Sequence, residues 1–557
     1  MCGIHASITR APSPSAHALS PELTRCLRAR GPDHFGQVDR CLQLGKHNGD
    51  ETAPAPVPAV WSLRFTSTVL ALRGDHVARQ PLADPRTGSV LCWNGEAWRL
   101  RGERVQGNDG EAVLAALAMA TGGDHGGVDA QLDVLRGIEG PFAFVYYDAV
   151  AGTVLYGRDR LGRRSLLVAA PTGDDGGLTL CSVAGEAGGG GWEEVEADGI
   201  YVLRLGREAV RERHEWVAGE DAADFVSGIG RFNRALPGGH HELLAGSLSV
   251  MSLKERLLES LRLRVLGIPT PPAGDANSDT RVAILFSGGL DCTVLARLCH
   301  ELLDPDQGID LLNVGFENPR VVAQLQRENR HLPDCYEACP DRITGRRSFL
   351  ELQKVCPGRA FRFVAAHRQQ IISLIHPHNT EMDLSIACAL YFAARGQGVC
   401  SESPDSPPVA YTSRARVLLS GLGADELFGG YSRHPSAFQQ RGYSGLIDEL
   451  LLDVSRLGKR NLGRDDRVMA HWGKEVRFPY LDERLVSWAI ETPAWEKCDF
   501  ENGEEASGVE AGKRVLRLLA LELGMEKVAK EKKRAIQFGS RTAKMQSGKV
   551  KGTTLLA

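Results

Sequence analysis

Two apolar runs that each end in a serine–glycine turn constrain the fold of this chain more than any other feature. Residues 282–286 lead into the turn at 287–289, and residues 417–419 lead into Ser-Gly at 420–421. Apolar runs of this length are typical of strands that are buried on both faces of a parallel sheet. Helical sequence follows the first turn, and residues 309–314 have the pattern of a further strand. Strands that alternate with helices predict an α/β doubly wound domain whose ligand lies at the carboxyl ends of the strands.

The turn after the first strand, Ser-Gly-Gly-Leu-Asp-Cys-Thr at 287–293, has the chemistry of an anion site. Glycine lets the backbone turn tightly and leaves its N–H groups uncovered, and the start of the next helix adds further donors. Asp291 would repel a bare phosphate, so we predict that it acts as a magnesium ligand or through water. The segment is not a GxxxxGK[ST] loop, because no lysine stands at that position. The alternative is a glycine-rich strand-to-helix turn without a ligand.

These residues resemble the pyrophosphate loop of the ATP pyrophosphatases, which cleave ATP between its α and β phosphates. The segment Ser-Gly-Leu-Gly-Ala-Asp-Glu-Leu-Phe-Gly-Gly-Tyr at 420–431 is similar to the SGEGSDELFGGY segment of glutamine-dependent asparagine synthetases. Residues 468–482 resemble a third stretch of that family. The resemblance implies an adenine nucleotide alpha hydrolase-like fold and an ATP- and Mg²⁺-dependent ligase that adenylates a carboxylate.

The resemblance also implies roles for individual residues of this half. ATP and its pyrophosphate would contact Ser287, Gly288, Gly289, Asp291, Cys292, Thr293, Gly315, Ser420 and Gly421. Asp291 and Asp425 would bind Mg²⁺, and Lys533 would stabilise the charge on the departing pyrophosphate. Because Lys533 stands among other lysines, the alternative is that it is an ordinary solvent-exposed surface lysine.

A cysteine at position 2 is the outstanding residue of the N-terminal half. If Met1 is removed, Cys2 carries both a thiol nucleophile and an α-amine. That amine titrates near ~8 and can therefore take the thiol proton at cellular pH. A Met-Cys start can equally be accidental, so this assignment depends on the residues that follow.

The residues that follow resemble the class II glutaminase domain of the same asparagine synthetases, in the same order. The landmarks are Arg-Gly-Pro-Asp at 30–33, Arg73 at the end of a strand expected at 69–73, Asn94-Gly95-Glu96, and Asp109. By this resemblance Cys2 attacks glutamine, and the Asn94 side chain and the Gly95 N–H form the oxyanion hole. Arg73 would bind the α-carboxylate of glutamine, and Glu96 and Asp109 its ammonium. The implied fold is an α+β N-terminal-nucleophile glutaminase with αββα layers.

We expect three parts along the chain. These are a class II glutamine amidotransferase domain at 1–205, a connector at 206–248, and an asparagine synthetase-like ATP-pyrophosphatase domain at 249–557. Charged and glycine-containing segments suggest the connector. Residues 47–59 are polar and then Pro/Ala-rich, and residues 185–191 are mostly glycine, so we predict surface loops at both.

Composition limits the partners that this chain can have. The net charge of −4 provides no global field for nucleic acid. No run of about 18 apolar residues could span a membrane. The 13 cysteines are scattered without the spacing of a zinc site, which is typical of reduced thiols. We expect a cytoplasmic protein with glutamine, aspartate and ATP as small-molecule substrates, no nucleic-acid or membrane partner, and a homodimer as one possible assembly.

Two positions depart from the asparagine synthetase pattern. Leu422 stands where the family has a glutamate, and Cys292 stands where it has a serine. A leucine cannot titrate, so these departures point to a diverged eukaryotic branch of the family, the asparagine synthetase domain-containing protein 1 type. The main hypothesis is glutamine-dependent asparagine synthesis, in which ammonia released at Cys2 amidates an adenylated aspartate. The alternative is a diverged amidotransferase-like protein with weak or no synthetase activity, which acts on another acceptor or as a regulatory or binding protein.

Overall fold

The computed structural model describes most of the chain, in two parts that lie against each other. The described residues are 2–10, 19–44, 60–121, 127–169, 177–185, 191–217, 225–270, 280–316, 327, 336–366, 372–402, 406–460, 462–503, 508–542 and 553–555. Each helix among them is too short or too polar to cross a membrane.

The N-terminal part is built on two six-stranded antiparallel sheets. Its strands are β1 (Gly3–Arg10), β2 (His34–Gln43), β3 (Val60–Val69), β4 (Leu82–Ala83), β5 (Val90–Gly95), β6 (Arg99–Leu100), β7 (Glu103–Arg104), β8 (Ile138–Glu139), β9 (Phe142–Asp148), β10 (Thr153–Arg158), β11 (Leu167–Ala169), β12 (Leu178–Cys181), β13 (Glu193–Glu194), β14 (Ile200–Leu205) and β15 (Ala209–His214). Its helices are α1 (Pro21–Arg30), α2 (Asp109–Thr121) and α3 (Val128–Arg136). The strand order is β13-β11-β12-β1-β3-β2 in one sheet and β15-β14-β10-β9-β5-β4 in the other.

The two sheets pack face to face because alternate residues of their strands are apolar. Ile4, Ala6 and Ile8 of β1 are fully buried in one core with Val145 and Tyr147 of β9. Helices α2 and α3 cover the outer face of the β9 sheet, and α1 packs on β1 and β3. This arrangement agrees with the αββα layers that we expected.

The C-terminal part is a seven-stranded sheet with helices around it. Its strands are β16 (Phe225–Val226) and β17 (Gly230–Arg231), which form a small hairpin, and β18 (Thr280–Leu285), β19 (Gly308–Val314), β20 (Phe361–Ala366), β21 (Gln397–Ser401), β22 (Val409–Thr412), β23 (Val417–Leu419) and β24 (Glu475–Arg477). Its helices are α4 (Leu248–Val265), α5 (Leu290–Leu302), α6 (Pro340–Val355), α7 (Ile372–Ile375), α8 (Glu381–Arg395), α9 (Ala424–Phe428), α10 (Arg433–Ser455), α11 (Leu457–Arg460), α12 (Leu462–Ala470), α13 (Glu483–Glu491), α14 (Arg514–Glu522), α15 (Glu526–Ala529) and α16 (Ile536–Gly539).

The sheet has the strand order β22-β21-β20-β19-β18-β23-β24. The five strands from β20 through β19, β18 and β23 to β24 pair in parallel, whereas β21 is antiparallel to β20 and β22 is antiparallel to β21. The apolar runs that we predicted as buried strands are its central strands β18 and β23. Between β18 and α5 the backbone of Gly288 adopts φ +82°, and a Cβ there would lie 2.4 Å from the Cα of Gly345. Glycine is therefore required at this turn.

Two expected boundaries differ in the structure. The strand expected at 69–73 is instead Val60–Val69, because its pairing with β1 stops at Thr68 and its pairing with β2 at Val69. The Asp33 carboxylate then accepts the N–H of Ala71, so the following residues leave the sheet. The expected connector begins too early, since Ala209–His214 pairs with Ile200–Leu205 and extends the N-terminal sheet. The loop expected at 47–59 lies outside the described residues, as do residues 186–190 of the glycine-rich segment.

Buried arginine–carboxylate pairs join the two parts. Arg30 Nη2 lies 2.7 Å from Asp466 Oδ2, and Arg467 Nη1 lies 2.7 Å from Glu194 Oε1. Further pairs join Arg163 to Glu483, Arg416 to Asp33, Arg164 to Glu475, and Arg477 to Glu96. If the two parts moved apart, these arginines would keep their charge but lose the carboxylates that compensate it in the buried interface. The pairs therefore strongly constrain how the two parts fit together.

We expect Asp466→Ala to lower the free energy of unfolding by about 3–5 kcal/mol, because it leaves the buried Arg30 guanidinium without its carboxylate. Urea denaturation followed by circular dichroism measures the change. The control is Asp448→Ala, which breaks an exposed pair with Arg441 and should leave stability unchanged. Equal effects of the two substitutions would contradict the role given to the buried pairs.

Candidate active sites

Cys2 is held at the start of β1 by its neighbours on both sides. Arg30 Nε donates to the Cys2 carbonyl oxygen at 3.3 Å, and the Gly3 N–H donates to Thr68 Oγ1 at 2.9 Å. A Cβ on Gly3 would lie 2.6 Å from that hydroxyl and 2.9 Å from the Leu27 side chain. The residue after the cysteine therefore has to be glycine for the strand to start here.

The thiol of Cys2 faces a small cavity. Of the predicted residues, five line it: Cys2, Arg73, Gly95, Glu96 and Asp109. Gln80 Nε2 lies 3.7 Å from Cys2 Sγ, and burial raises the pKa of the thiol. The cavity is small, with a volume of about 30 Å³. Two of its lining side chains, Arg73 and Glu96, are bonded to each other, so a ligand that binds either of them has to separate the pair.

The expected oxyanion hole lies at the end of β5. The Trp93 N–H donates to Gln80 Oε1 at 2.8 Å, on the edge of the strand away from β9. Because alternate residues of a strand direct their N–H groups to the same edge, the Gly95 N–H points toward the side of Gln80 and Cys2. Both amide atoms of Asn94 are buried and make no hydrogen bond within the described part of the chain. An unpaired buried amide is costly, which is consistent with a group that waits for a ligand.

Among the residues expected to bind glutamine, Arg73 and Glu96 form an ion pair with each other in this structure. Arg73 Nη1 lies 3.3 Å from Glu96 Oε2, and Arg477 Nη2 lies 2.8 Å from Glu96 Oε1. Burial raises the pKa of Glu96 to about 8, against the opposing effect of the two guanidinium groups. Asp109 Oδ2 accepts the Trp93 Nε1–H at 2.9 Å and the Ala97 N–H at 2.8 Å, and burial raises its pKa.

Three residues of this site escaped the sequence argument. Gln80 accepts a backbone N–H of β5 and lies close to the Cys2 thiol. Glu475 lines the cavity, and Arg477 donates a hydrogen bond to Glu96. The last two belong to β24 of the C-terminal part, within the 468–482 stretch that resembles the family. The resemblance was the signal that could have pointed to them, but their position beside Cys2 depends on contacts between the two halves.

A second and larger cavity, of about 440 Å³, lies at the carboxyl ends of β18, β19 and β23. The predicted residues that line it are Ser287, Gly289, Asp291, Cys292, Ser420, Gly421, Asp425 and Lys533. Three others do not line it. Gly288 packs on Gly345, and Thr293 Oγ1 donates to the Gly289 carbonyl oxygen at 2.7 Å. Gly315 follows the cavity-lining residue Val314 at the end of β19.

An ammonium group lies between the two carboxylates that we expected to bind magnesium. Lys513 Nζ lies 2.9 Å from both Asp291 Oδ1 and Asp425 Oδ1, and Lys533 Nζ contacts Asp425 Oδ2. The carboxylates raise the pKa of Lys513, and the two lysines lower the pKa of Asp425. Lys513 has a left-handed backbone, with φ +56°, and its N–H donates to the Phe428 carbonyl oxygen at 2.8 Å. It was missed because only the fold brings the 424–428 and 514–522 helices together.

This arrangement does not fit a magnesium ion held by Asp291 and Asp425 alone. Both carboxylates already pair with Lys513, and the described residues contain no group of three or more His, Cys, Asp or Glu side chains that could hold a metal ion. The neighbouring Glu426 accepts the Tyr431 hydroxyl at 2.5 Å and is likewise engaged. Of the two lysines, Lys533 lines the cavity, whereas Lys513 lies behind the carboxylates. An ammonium group on this wall suits a polyphosphate.

Comparisons with known proteins relate the chain to asparagine synthase-like proteins. An asparagine synthase family model matches residues 409–448 and 438–553, which include the Asp425 segment and Lys533. Asparagine synthetase domain-containing protein 1 of Homo sapiens is 32% identical, over 98% of this chain and 96% of its own length. The Mus musculus protein of the same name is 31% identical, over 99% of this chain and 98% of its own length.

Solved structures contribute less than the sequence relatives to the assignment of a family. A glutamine phosphoribosylpyrophosphate amidotransferase from B. subtilis matches 51% of this chain and 61% of its own, with 14% identity and a TM-score of 0.26, which is too low to relate the folds. The relatives, in contrast, match from end to end. The chain therefore belongs to the asparagine synthetase family, in the branch of the asparagine synthetase domain-containing protein 1 relatives.

Proposed function

We propose that this chain is a glutamine-dependent amide ligase that takes ammonia from glutamine at Cys2 and transfers it to a carboxylate activated by ATP. The observation that carries the proposal is the position of Arg477. Its guanidinium bonds Glu96 in the Cys2 cavity, and its carbonyl oxygen accepts the N–H of Ser420, which lines the larger cavity, at 3.0 Å. A single residue thus contacts both candidate sites.

In the first step the thiolate of Cys2 attacks the amide carbon of glutamine. The α-amine that Cys2 gains when Met1 is removed takes the thiol proton and passes it to the leaving nitrogen, so the C–N bond breaks and ammonia departs. The Gly95 N–H and the Asn94 amide stabilise the oxyanion. Water then hydrolyses the thioester and releases glutamate. Arg73 and Glu96 separate from each other and bind the α-carboxylate and the ammonium of glutamine.

In the second step a carboxylate oxygen of the acceptor attacks the α phosphorus of ATP, and pyrophosphate leaves with the electron pair of the broken P–O bond. Lys533 and Lys513 neutralise the charge that develops on pyrophosphate. Ammonia then attacks the acyl carbon, the bond to AMP breaks, and the surplus proton passes to water. No part of this scheme is assigned to magnesium, because the two expected ligands are paired with Lys513.

Asparagine synthesis is the form of this reaction in which the acceptor is aspartate. A different acceptor is the second candidate, and Leu422 favours it because an apolar side chain lines the cavity where the family has a carboxylate. The regulatory or binding role is the third possibility and would lack both reactions. The cytoplasmic location and the homodimer remain predictions.

We expect Cys2→Ala to abolish glutamine hydrolysis and to leave ammonia-dependent release of pyrophosphate intact, because the substitution removes the nucleophile from one site only. Glutamate and pyrophosphate release are measured with glutamine or ammonium chloride as the nitrogen source. Cys41→Ala, which removes an exposed thiol of the same part, serves as the control and should change neither. Glutamine hydrolysis that survives Cys2→Ala would exclude the proposed nucleophile.

Glutamine turnover should depend on the protonation of Glu96. A carboxyl group binds ammonium only when ionised, and burial raises the pKa of Glu96 to about 8, so the ionised fraction increases as the pH rises toward that value. We expect kcat/KM for glutamine to rise about tenfold per pH unit below about 8 from this group alone. Glu96→Gln should lower kcat/KM and make the profile shallower, whereas exposed Glu103→Gln should change neither. Parallel profiles for wild type and Glu96→Gln would contradict this role.

Lys533→Ala should slow pyrophosphate release by about 10²–10³-fold, because it removes one charged donor from the leaving group. Steady-state pyrophosphate release with ammonium chloride measures the loss. Lys532→Ala changes the exposed neighbouring lysine, which does not line the cavity, and should retain full activity. If both substitutions have the same small effect, Lys533 belongs to a solvated surface.

A further inference from the structure

The larger cavity has two chemically different sides. Its phosphate side carries Lys533 and the glycine turns that follow β18 and β23. The opposite side, called here the apolar wall, consists of Met382, Ile386, Leu422, Leu457 and Leu462. Met382 is 44% exposed, and Leu422 and Ile386 are half-buried, so several of these side chains remain without full contact. A cavity of this size and composition is typical of a site for a small apolar molecule with a few polar groups.

The apolar wall is separate from the surface that the fold offers to the adenine ring. Apolar side chains at the ends of the central strands, Phe286, Leu312 and Val314, lie next to the phosphate turn, where nucleotides bind in open α/β sheets. Met382 and Ile386 belong instead to the first turns of α8, and Leu462 to α12, which packs against α8. Leu422 follows Gly421 of the second turn, so the apolar wall begins beside the reacting phosphate.

An amino-acid acceptor would require a carboxylate for its ammonium, and the carboxylates beside the apolar wall are already engaged. Asp341 also lines the cavity, but on the phosphate side, where Arg534 and Lys533 are its neighbouring charges. Asp453 lies 3.0 Å from His434 Nε2 and also pairs with Arg433. Asp465 Oδ1 accepts two N–H groups of Arg464 at 2.9 and 2.8 Å. Glu426 accepts the Tyr431 hydroxyl.

One cation on this side is available. Arg456, at the end of α10, is exposed, lines the cavity, and forms no side-chain ion pair with any of the described residues. Arg433 and Arg464, which also line the cavity, are both paired with carboxylates. The balance of charge on this side therefore favours an anion without an ammonium group.

We propose that the acceptor is a carboxylic acid with an apolar body and no ammonium group, bound on the apolar wall with Arg456 attracting its carboxylate into the cavity. The inference rests on the proposed ligase function and specifies its substrate class. The carboxylate oxygen attacks the α phosphorus beside Leu422, pyrophosphate leaves, and ammonia later displaces AMP to give an uncharged apolar amide. Aspartate is excluded by the missing partner for its ammonium and by the desolvation of its second carboxylate against Leu422.

ATP–pyrophosphate exchange with the full chain tests this substrate class, because it measures adenylation without ammonia transfer. The probes are aspartate, glutamate, hexanoate and 3-phenylpropanoate. We expect the two apolar acids to support exchange with kcat/KM at least about tenfold above that of either amino acid, since even one methylene in an apolar pocket is worth that much. Leu422→Ala should lower kcat/KM for hexanoate by about tenfold, and Leu422→Glu should lower it further by repelling the carboxylate.

Arg456→Gln should raise KM for hexanoate with little change in kcat, whereas Arg441→Gln, on an exposed face of the same helix, should change neither. Exchange that is as fast with aspartate as with the apolar acids overturns the inference and leaves the proposed ligase function standing. Exchange with none of the four acids overturns both the inference and the ligase half of that function. Glutamine hydrolysis that is lost in Cys2→Ala would then still support the amidotransferase half.

Discussion

The structure depends on charges that are buried between its two halves. Arg477 contributes a guanidinium group that cannot lose its proton, and it is placed where water cannot solvate it. Glu475 from its own strand neutralises it at 2.7 Å, and Glu96 from the other half accepts its N–H at 2.8 Å. A shift between the halves would separate these groups at a large cost, so the Cys2 cavity and the end of the parallel sheet remain in one fixed relation.

This constraint bears on the Cys2 cavity. Arg73 and Glu96 bond each other there, in a cavity of about 30 Å³. Glutamine, the proposed substrate, carries a group for each of them, so it would replace both partners at once without leaving either group unpaired. A ligand with only a carboxylate or only an ammonium would leave one buried charge uncompensated.

The sequence predicted the parts of the sites that local motifs carry. Cys2, Asn94, Gly95 and Ser420 can be named as candidates because each stands at a strand end or a turn that a local sequence motif marks. Arg477 and Lys513 could not be assigned in this way, because their roles arise from pairing with residues that are distant in the chain. The strand predicted at 69–73 was wrong for the same kind of reason. Strand pairing and the Asp33 carboxylate decide where β3 ends, and the apolar pattern of the segment does not. The expected connector likewise became part of a sheet because Leu205 and Ala209 form a tight hairpin.

The position of Lys513 has a consequence for the charge beside the larger cavity. Its ammonium cancels much of the charge of Asp291 and Asp425, so a lone divalent cation meets a site that is already neutralised. Lys533 contacts Asp425 as well, so a free phosphate would meet this lysine beside a carboxylate that offsets part of its charge. The Lys513 N–H donates to the Phe428 carbonyl oxygen, which holds the backbone from which this side chain extends. On this argument the larger cavity favours a ligand that contacts Lys533 and the apolar wall together over a small ion.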